Sequence, residues 1–355
     1  HAPLQVDQDI KRIGIVGAGF MGSGIACHSA CSGLEVVLID RDDASLAKAH
    51  ETIQGILDKG IKNKKLSDSK EAYLSRIKFT THVSELRGCD LVIEAVFEER
   101  NVKKDMLEAI EKEVDSNCII ASNTSTLPIT SLANYLKKPQ RFVGIHFFSP
   151  VHLMQLVEVI KGQESSDWAI SMAVKLVQIM KKVSIIVNDG RGFYTTRVVI
   201  SYLNEGMRLL REGVSPAIIE NAGRAIGMPV GPLALADEIA LDLALKIRLQ
   251  TQKDLGDAWQ DDGLGDLLEW MVNENGRCGR KSGQGFYEYP EGREKYLWPG
   301  LKTHFPPTSN IPYQTVKDRL LRRQLEEVKR VQEEGILTDA KQINVGAILG
   351  FGFCP

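Results

Sequence analysis

From Ile10 to about Asp189, short apolar runs alternate with longer amphipathic stretches. RIGIVGAG, EVVLID, DLVIEAV, CIIASNT, FVGIHFF, LVEVI and KVSIIVND read as strands, most of them too apolar to leave one face in water. Between them lie helical patterns: in residues 101–114, Val102, Met106, Leu107, Ile110 and Val114 share one face. This alternation predicts an α/β fold, a doubly wound parallel sheet covered on both sides. Residues 44–77 interrupt it with a lysine-rich insertion, expected as two helices joined around residues 63–68.

After Gly190 the period becomes helical. Residues 191–289 are expected as an all-helical domain, with a long helix over 194–212 that stops at Gly213. Residues 290–312, rich in proline and charge, read as a linker. The last part repeats an earlier one. Residues 203–226 set against 325–348, an offset of 122, match at seven of 24 positions, and Arg197 matches Arg319 just upstream. Chance likeness of two amphipathic helices is the alternative; the shared Glu-Gly stop followed by Ala-Ile favours duplication. The expected order is a tail or expression scar over 1–9, a nucleotide-binding domain over 10–190, helical 191–289, linker 290–312, and a truncated second helical repeat over 313–355.

Composition narrows the possibilities. At 355 residues two or three domains are expected. With 44 Lys+Arg against 46 Asp+Glu, the net charge of −2 lacks the basic excess that nucleic-acid binding normally needs. Six scattered cysteines suit a reducing compartment and suggest no metal site. No apolar run is long enough for a transmembrane segment. The absence of an initiator Met and the cut second repeat suggest a piece of a longer protein.

The strongest local motif is GAGFMG between an apolar strand and a helix. Gly17 permits the turn, Gly19 lets backbone approach a pyrophosphate, and Gly22 lets the helix pack on the strand. Ala18, Phe20 and Met21 complete the loop, whose helix N-terminus faces the phosphates. EVVLID then ends in Asp40, an acid placed to hold ribose hydroxyls and to repel a 2′-phosphate. NAD is therefore expected as cofactor on a Rossmann-type domain, while Arg41 next door leaves an NADP reading open.

Of seven histidines, His146 stands near the C-terminal end of an apolar strand, where such sheets bind ligands. Glu158 lies inside LVEVI, where a buried carboxylate needs a partner. A His146–Glu158 pair answers this, as a general base with its orienting acid or as a purely structural bond. Ser125, in the turn after CIIASNT, is placed to bond a reacting hydroxyl or to cap the following helix. Asn123 in the same turn is expected beside the cofactor. Lys59, Lys62, Lys64 and Lys65 read as a solvated face, with attraction to a phosphorylated ligand as the alternative.

GAGFMGSGIA, DLVIEAVFEERNVKKDML, SNTSTLPIT, RFVGIHFFSPVHLMQLVEVI, GRGFYTTR, GMPVGP and RKSGQGFYEY, in that order from Lys11 to Tyr289, resemble the L-3-hydroxyacyl-CoA dehydrogenases. The resemblance implies His146 as catalytic base, Glu158 as its partner, Ser125 as a hydroxyl-binding residue, and nicotinamide-side contacts from Glu98 and Lys103. Two positions depart from the single-function members, which carry Asn where Ser149 stands in the cofactor pocket and where Thr196 stands near the catalytic pair. GFYTTR and the duplicated helical segment look like the multifunctional fatty-acid oxidation α subunits. That likeness implies an enoyl-CoA hydratase domain ahead of this chain, a thiolase subunit as partner, and an acyl-CoA substrate. It also implies either a bacterial cytoplasm or a mitochondrial matrix or peroxisome. The rival readings are a short-chain 3-hydroxybutyryl-CoA or sugar-acid dehydrogenase and a catalytically silent, crystallin-like relative. Val316, Leu320, Leu321, Leu325, Val328 and Val331 form one apolar helix face that needs a partner, so an inactive, aggregated or homodimeric chain is a further expectation.

Overall fold

The structure, a computed structural model, describes residues 8–353. Most of the expected N-terminal tail, and Cys354, lie outside the described residues. Two compact units divide the chain: 8–194 with 335–350, and 195–334 with 351–353.

The first unit is built on one sheet of eight strands: β1 (Arg12–Val16), β2 (Glu35–Ile39), β3 (Ile77–Thr80), β4 (Leu91–Glu94), β5 (Ile119–Ser122), β6 (Phe142–Phe147), β7 (Leu156–Lys161) and β8 (Val183–Asn188). Their order is β3-β2-β1-β4-β5-β6-β7-β8. The order reverses between β1 and β4, and the crevice outside their C-terminal ends is where doubly wound sheets bind ligands. Seven strands match the apolar runs. The eighth, β3, was not expected: it is a four-residue edge strand in which only Ile77 is buried. One pairing also departs from the all-parallel expectation, because β6 and β7 run antiparallel. Only residues 148–155 join them, too few for a crossover helix.

Helices α1 (Phe20–Cys31), α2 (Asp43–Lys62), α3 (Lys70–Leu74), α4 (Arg100–Glu113), α5 (Ile129–Ala133) and α6 (Asp167–Ile179) belong to this unit. The lysine-rich insertion forms two helices as expected. Asp42 caps α2 by accepting from Ser45 N, and Leu46, Ala49, Ile53 and Leu57 bury one face while the lysines stay outside. That face joins a core containing Ile13, Ile15, Leu38 and Ile93 of the sheet and Met172 and Leu176 of α6.

The second unit holds α7 (Thr195–Arg211), α8 (Pro216–Ala225), α9 (Pro232–Ile239), α10 (Leu241–Leu255), α11 (Gly265–Glu269), α12 (Gly300–His304) and α13 (Tyr313–Glu333). It also carries a small hairpin, β9 (Tyr287–Glu288) with β10 (Tyr296–Leu297). Residues 290–312 are thus not the bare linker that their prolines suggest, for they contain β10 and α12. Apolar anchors hold them: Leu301 is fully buried, Trp298 stacks on Trp270, and Trp298 N donates to Phe286 O at 2.9 Å.

The repeat has a structural counterpart. Arg197 Nε donates to Glu327 Oε1 at 2.7 Å, and Arg319 Nε donates to Glu205 Oε1 at 2.6 Å. Arg197 also pairs with Glu334, and Arg319 with Glu212. At the offset of 122 these are the same bonds made twice in opposite directions, so α7 and α13 are related by a local twofold. Gly213 and Gly335 end the two helices at φ 78° and 70°, a left-handed cap that favours glycine. Duplication explains these reciprocal bonds; chance likeness does not require them. The expected repeat over 313–355 is nevertheless divided, because residues 335–350, with helix α14 (Ala340–Gly346), belong to the first unit.

Candidate active site

The turn from β1 into α1 depends on two of its three glycines for shape and leaves the third open. Gly17 has φ +103°, and a Cβ there would come within 2.5 Å of Ala95 O. A Cβ on Gly22 would sit 1.7 Å from Gly17 O, so only glycine lets α1 start this close to the strand. Around Gly19 no atom lies within 4 Å of a would-be Cβ, and α1 begins at the next residue, Phe20. Exposed backbone at a helix N-terminus suits a pyrophosphate. Asp40 closes the end of β2, accepting from Ala18 N at 2.6 Å and from Arg41 N at 2.8 Å. Arg41 turns outward onto Asp42. Ala18 is buried, while Phe20 is 66% exposed beside Met21 at the mouth of the loop.

Beyond β4 lies a charge network that sequence reasoning found only in part. Glu94, fully buried at the end of β4, accepts from Lys103 Nζ at 2.8 Å, Ser122 Oγ at 2.7 Å and Val96 N at 2.7 Å. Lys103 also reaches Glu98 Oε2 at 3.3 Å. Burial pulls the Lys103 pKa down, but Glu94 and then Glu98 outweigh it and leave it raised. Burial likewise raises Glu98, yet Lys103 and the hydroxyls of Thr124 and Thr126 bring it below its ordinary value. Glu98 Oε1 accepts from Thr124 Oγ1 at 2.5 Å, Ser125 N at 3.2 Å and Thr126 Oγ1 at 3.0 Å. It therefore fixes the turn that carries Ser125. Ser125 does not cap α5: Pro128 occupies that position, and Thr124 Oγ1 accepts from Leu127 N at 3.0 Å. Asn123 ties strand ends together, donating from N to Glu94 O at 2.8 Å and accepting from Phe147 N at 2.9 Å. Glu94 had a legible signal, the same acid within an apolar strand that singled out Glu158.

His146 and Glu158 are direct partners in the antiparallel register of β6 and β7. Their side chains leave the same face, and His146 Nδ1 lies 2.8 Å from Glu158 Oε2. His146 is 4% exposed and Glu158 fully buried, with the rings of Phe148 and Phe193 at 4.5 Å and 6.0 Å from the imidazole. Apolar rings and a carboxylate hold the imidazole in one orientation and leave Nε2 as its second nitrogen. Ser149 follows this strand at an exposed position, joined to Pro150 by a cis peptide bond. Thr196 stands in the first turn of α7, half-buried, in the second unit. Among the described residues no cluster of His, Cys, Asp and Glu is arranged to hold a metal.

A glycine loop at the switch point, with an acid at the end of β2, makes the first unit that of an NAD-binding oxidoreductase. Two family descriptions match the chain: 3-hydroxyacyl-CoA dehydrogenase, NAD binding domain, over residues 12–190, and 3-hydroxyacyl-CoA dehydrogenase, C-terminal domain, over 192–289. The chain belongs to the 3-hydroxyacyl-CoA dehydrogenase family. The fatty acid oxidation complex subunit alpha of Shewanella baltica is 34% identical over 356 residues, 98% of this chain and 49% of that protein. The chain thus spans about half the length of the curated relatives it matches. Among solved structures, an (S)-3-hydroxybutyryl-CoA dehydrogenase from Ralstonia eutropha is 39% identical, covering 80% of this chain and all of its own, at TM-score 0.73. The dehydrogenase part of multifunctional enzyme 1 from C. elegans is 27% identical, covering 97% of this chain and 79% of its own, at TM-score 0.67.

Proposed function

We propose that the chain oxidises (S)-3-hydroxyacyl-CoA thioesters to 3-ketoacyl-CoA in fatty-acid β-oxidation, with His146 as the base. The observation that carries this is the buried 2.8 Å bond between His146 Nδ1 and Glu158. With Nδ1–H donated to the carboxylate, Nε2 carries the lone pair. Nε2 takes the substrate hydroxyl proton while the C3–H bond breaks and its electron pair leaves as hydride. NAD, when bound, supplies the acceptor for that hydride. Glu158 stabilises the imidazolium that forms, and apolar surroundings strengthen that interaction. Ser125 steadies the substrate oxygen from a turn that Glu98 holds in place. Gly17–Gly22 and Asp40 bind the dinucleotide, and Lys103, Asn123 and Ser149 border its nicotinamide end.

Partners follow from the same reading: an enoyl-CoA hydratase domain in the remainder of the protein, and a thiolase subunit. Matched relatives are subunits of a complex, and the chain spans about half their length. Short-chain preference is a second reading, favoured by the 39% identity to an (S)-3-hydroxybutyryl-CoA dehydrogenase along its whole length. Initial rates of NADH formation from (S)-3-hydroxyacyl-CoAs of short, medium and long chain, with NADP and the free acids as controls, test both. Turnover across chain lengths is expected; turnover of the four-carbon thioester alone selects the second reading. No NADH from any thioester would overturn both.

A further inference from the structure

Residues 335–350 follow α13 and yet belong to the unit that carries His146 and Glu158. They lie along β8, the edge strand next to β7. Two outward backbone donors of that edge are captured: Ile186 N donates to Gln342 Oε1 at 2.7 Å, and Asn188 N to Ile336 O at 2.8 Å. Asn188 Nδ2 also donates to Gly335 O at 2.8 Å. Covering an exposed sheet edge explains these bonds but not the next ones. Tyr194, fully buried just past the β8 loop, donates its hydroxyl to Ile343 O at 3.0 Å. A Cβ on Gly346 would lie 2.6 Å from the Tyr194 ring and 2.9 Å from Ile185. Ile185 is the register partner of Glu158. Burial and then the negative charge of Glu158 both raise the Tyr194 pKa. Gly346 therefore packs on Tyr194 and on Ile185, the strand neighbour of the dyad's acid.

The repeat sharpens the point. Gln342 occupies the position of Glu220 in the first copy. There the carboxylate of Glu220 accepts from Leu233 N at 2.7 Å, inside the second unit. In the second copy the acceptor is turned on the edge strand instead, and it is an amide.

Resting on the proposed function, we infer that residues 335–350 are a strap that positions the His146–Glu158 pair through Ile185, the register partner of Glu158, with Tyr194 tying the strap in place. Its purpose is to hold the acid still while the imidazole charges and discharges.

The test uses the full chain with labelled histidine. Two quantities are read: the exchange rate of the His146 Nδ1 proton by NMR, and kcat with KM for NAD. In Tyr194→Phe and Gln342→Ala that proton is expected to exchange about tenfold faster and kcat to fall on the order of 10-fold, while KM for NAD stays within about twofold. Gly346→Val is expected to do the same more strongly; if it fails to fold, the two milder variants decide. An unchanged His146 proton in both, with faster amide exchange at Ile186, would make the strap a mere edge cover and overturn the inference. A chain that makes no NADH but whose His146 proton responds to the strap variants would refute the proposed function and support the strap.

Discussion

Two buried glutamates lie on the same sheet, one at the end of β4 and one within β7, and their partners differ. Glu94 faces Lys103, which is 1% exposed and stays cationic because two carboxylates hold it so. Glu158 faces the imidazole of His146, with Nδ1 at 2.8 Å. The first pair is a fixed ion pair that also holds Ser122 at the end of β5; on the proposed reading the second takes up the substrate proton. Burial alone does not mark a catalytic acid. On the proposed reading, what marks it is its imidazole partner.

The largest expected effect breaks the second pair. Glu158→Gln leaves the hydrogen bond possible but removes the charge that supports the imidazolium, and kcat is expected to fall about 100- to 10,000-fold with NAD affinity kept. Steady-state kinetics beside a binding titration check it. Glu94→Gln should do the reverse. Stripping its charge leaves Lys103 under-compensated in the interior, with a loss of stability of about 3–5 kcal/mol in denaturant unfolding. A Glu94→Gln/Lys103→Met double variant should recover much of that loss.

A histidine without a carboxylate sharpens the contrast next. His28 Nε2 bonds the neutral Met180 O at 3.0 Å, and burial, then the charge of Lys182, lowers its pKa to about 4. The fold thus prefers its neutral form, whereas the unfolded chain takes up the proton near its ordinary value. Stability from this site is complete above pH about 6.5 and is lost as pH falls towards 4. His28→Gln should flatten the thermal midpoint across that window. Smallest is Asp40→Asn. Losing the acid beside Ala18 N should weaken NAD binding about tenfold, roughly 1.4 kcal/mol, and narrow its preference over NADP. Isothermal titration with both dinucleotides measures this.

Much of the site could be read from residues alone because its chemistry conflicts with its setting. A glutamate inside LVEVI, a histidine inside FVGIHFF and glycines at fixed spacing each contradict the local pattern, and such contradictions are visible in sequence. Glu94 in LVIE carried the same signal; its importance became plain only once Lys103 and Ser122 were seen around it. The strand Ile77–Thr80 escaped because an edge position lets lysine and threonine replace apolar residues. Prolines in 290–312 masked the anchors Trp298 and Leu301, whose burial depends on tertiary partners. The repeat was legible, but where its second copy ends was not. Gln342 in place of Glu220 changes one atom, and nothing local says which backbone it will face.

The most direct measurement compares the full chain with His146→Gln for NADH formation from (S)-3-hydroxybutyryl-CoA under saturating NAD. The expected result is robust turnover by the parent chain and a loss of about 100- to 10,000-fold in the variant, with its fold and NAD binding intact. Near-normal turnover by His146→Gln would contradict the assignment of the buried dyad as the seat of catalysis.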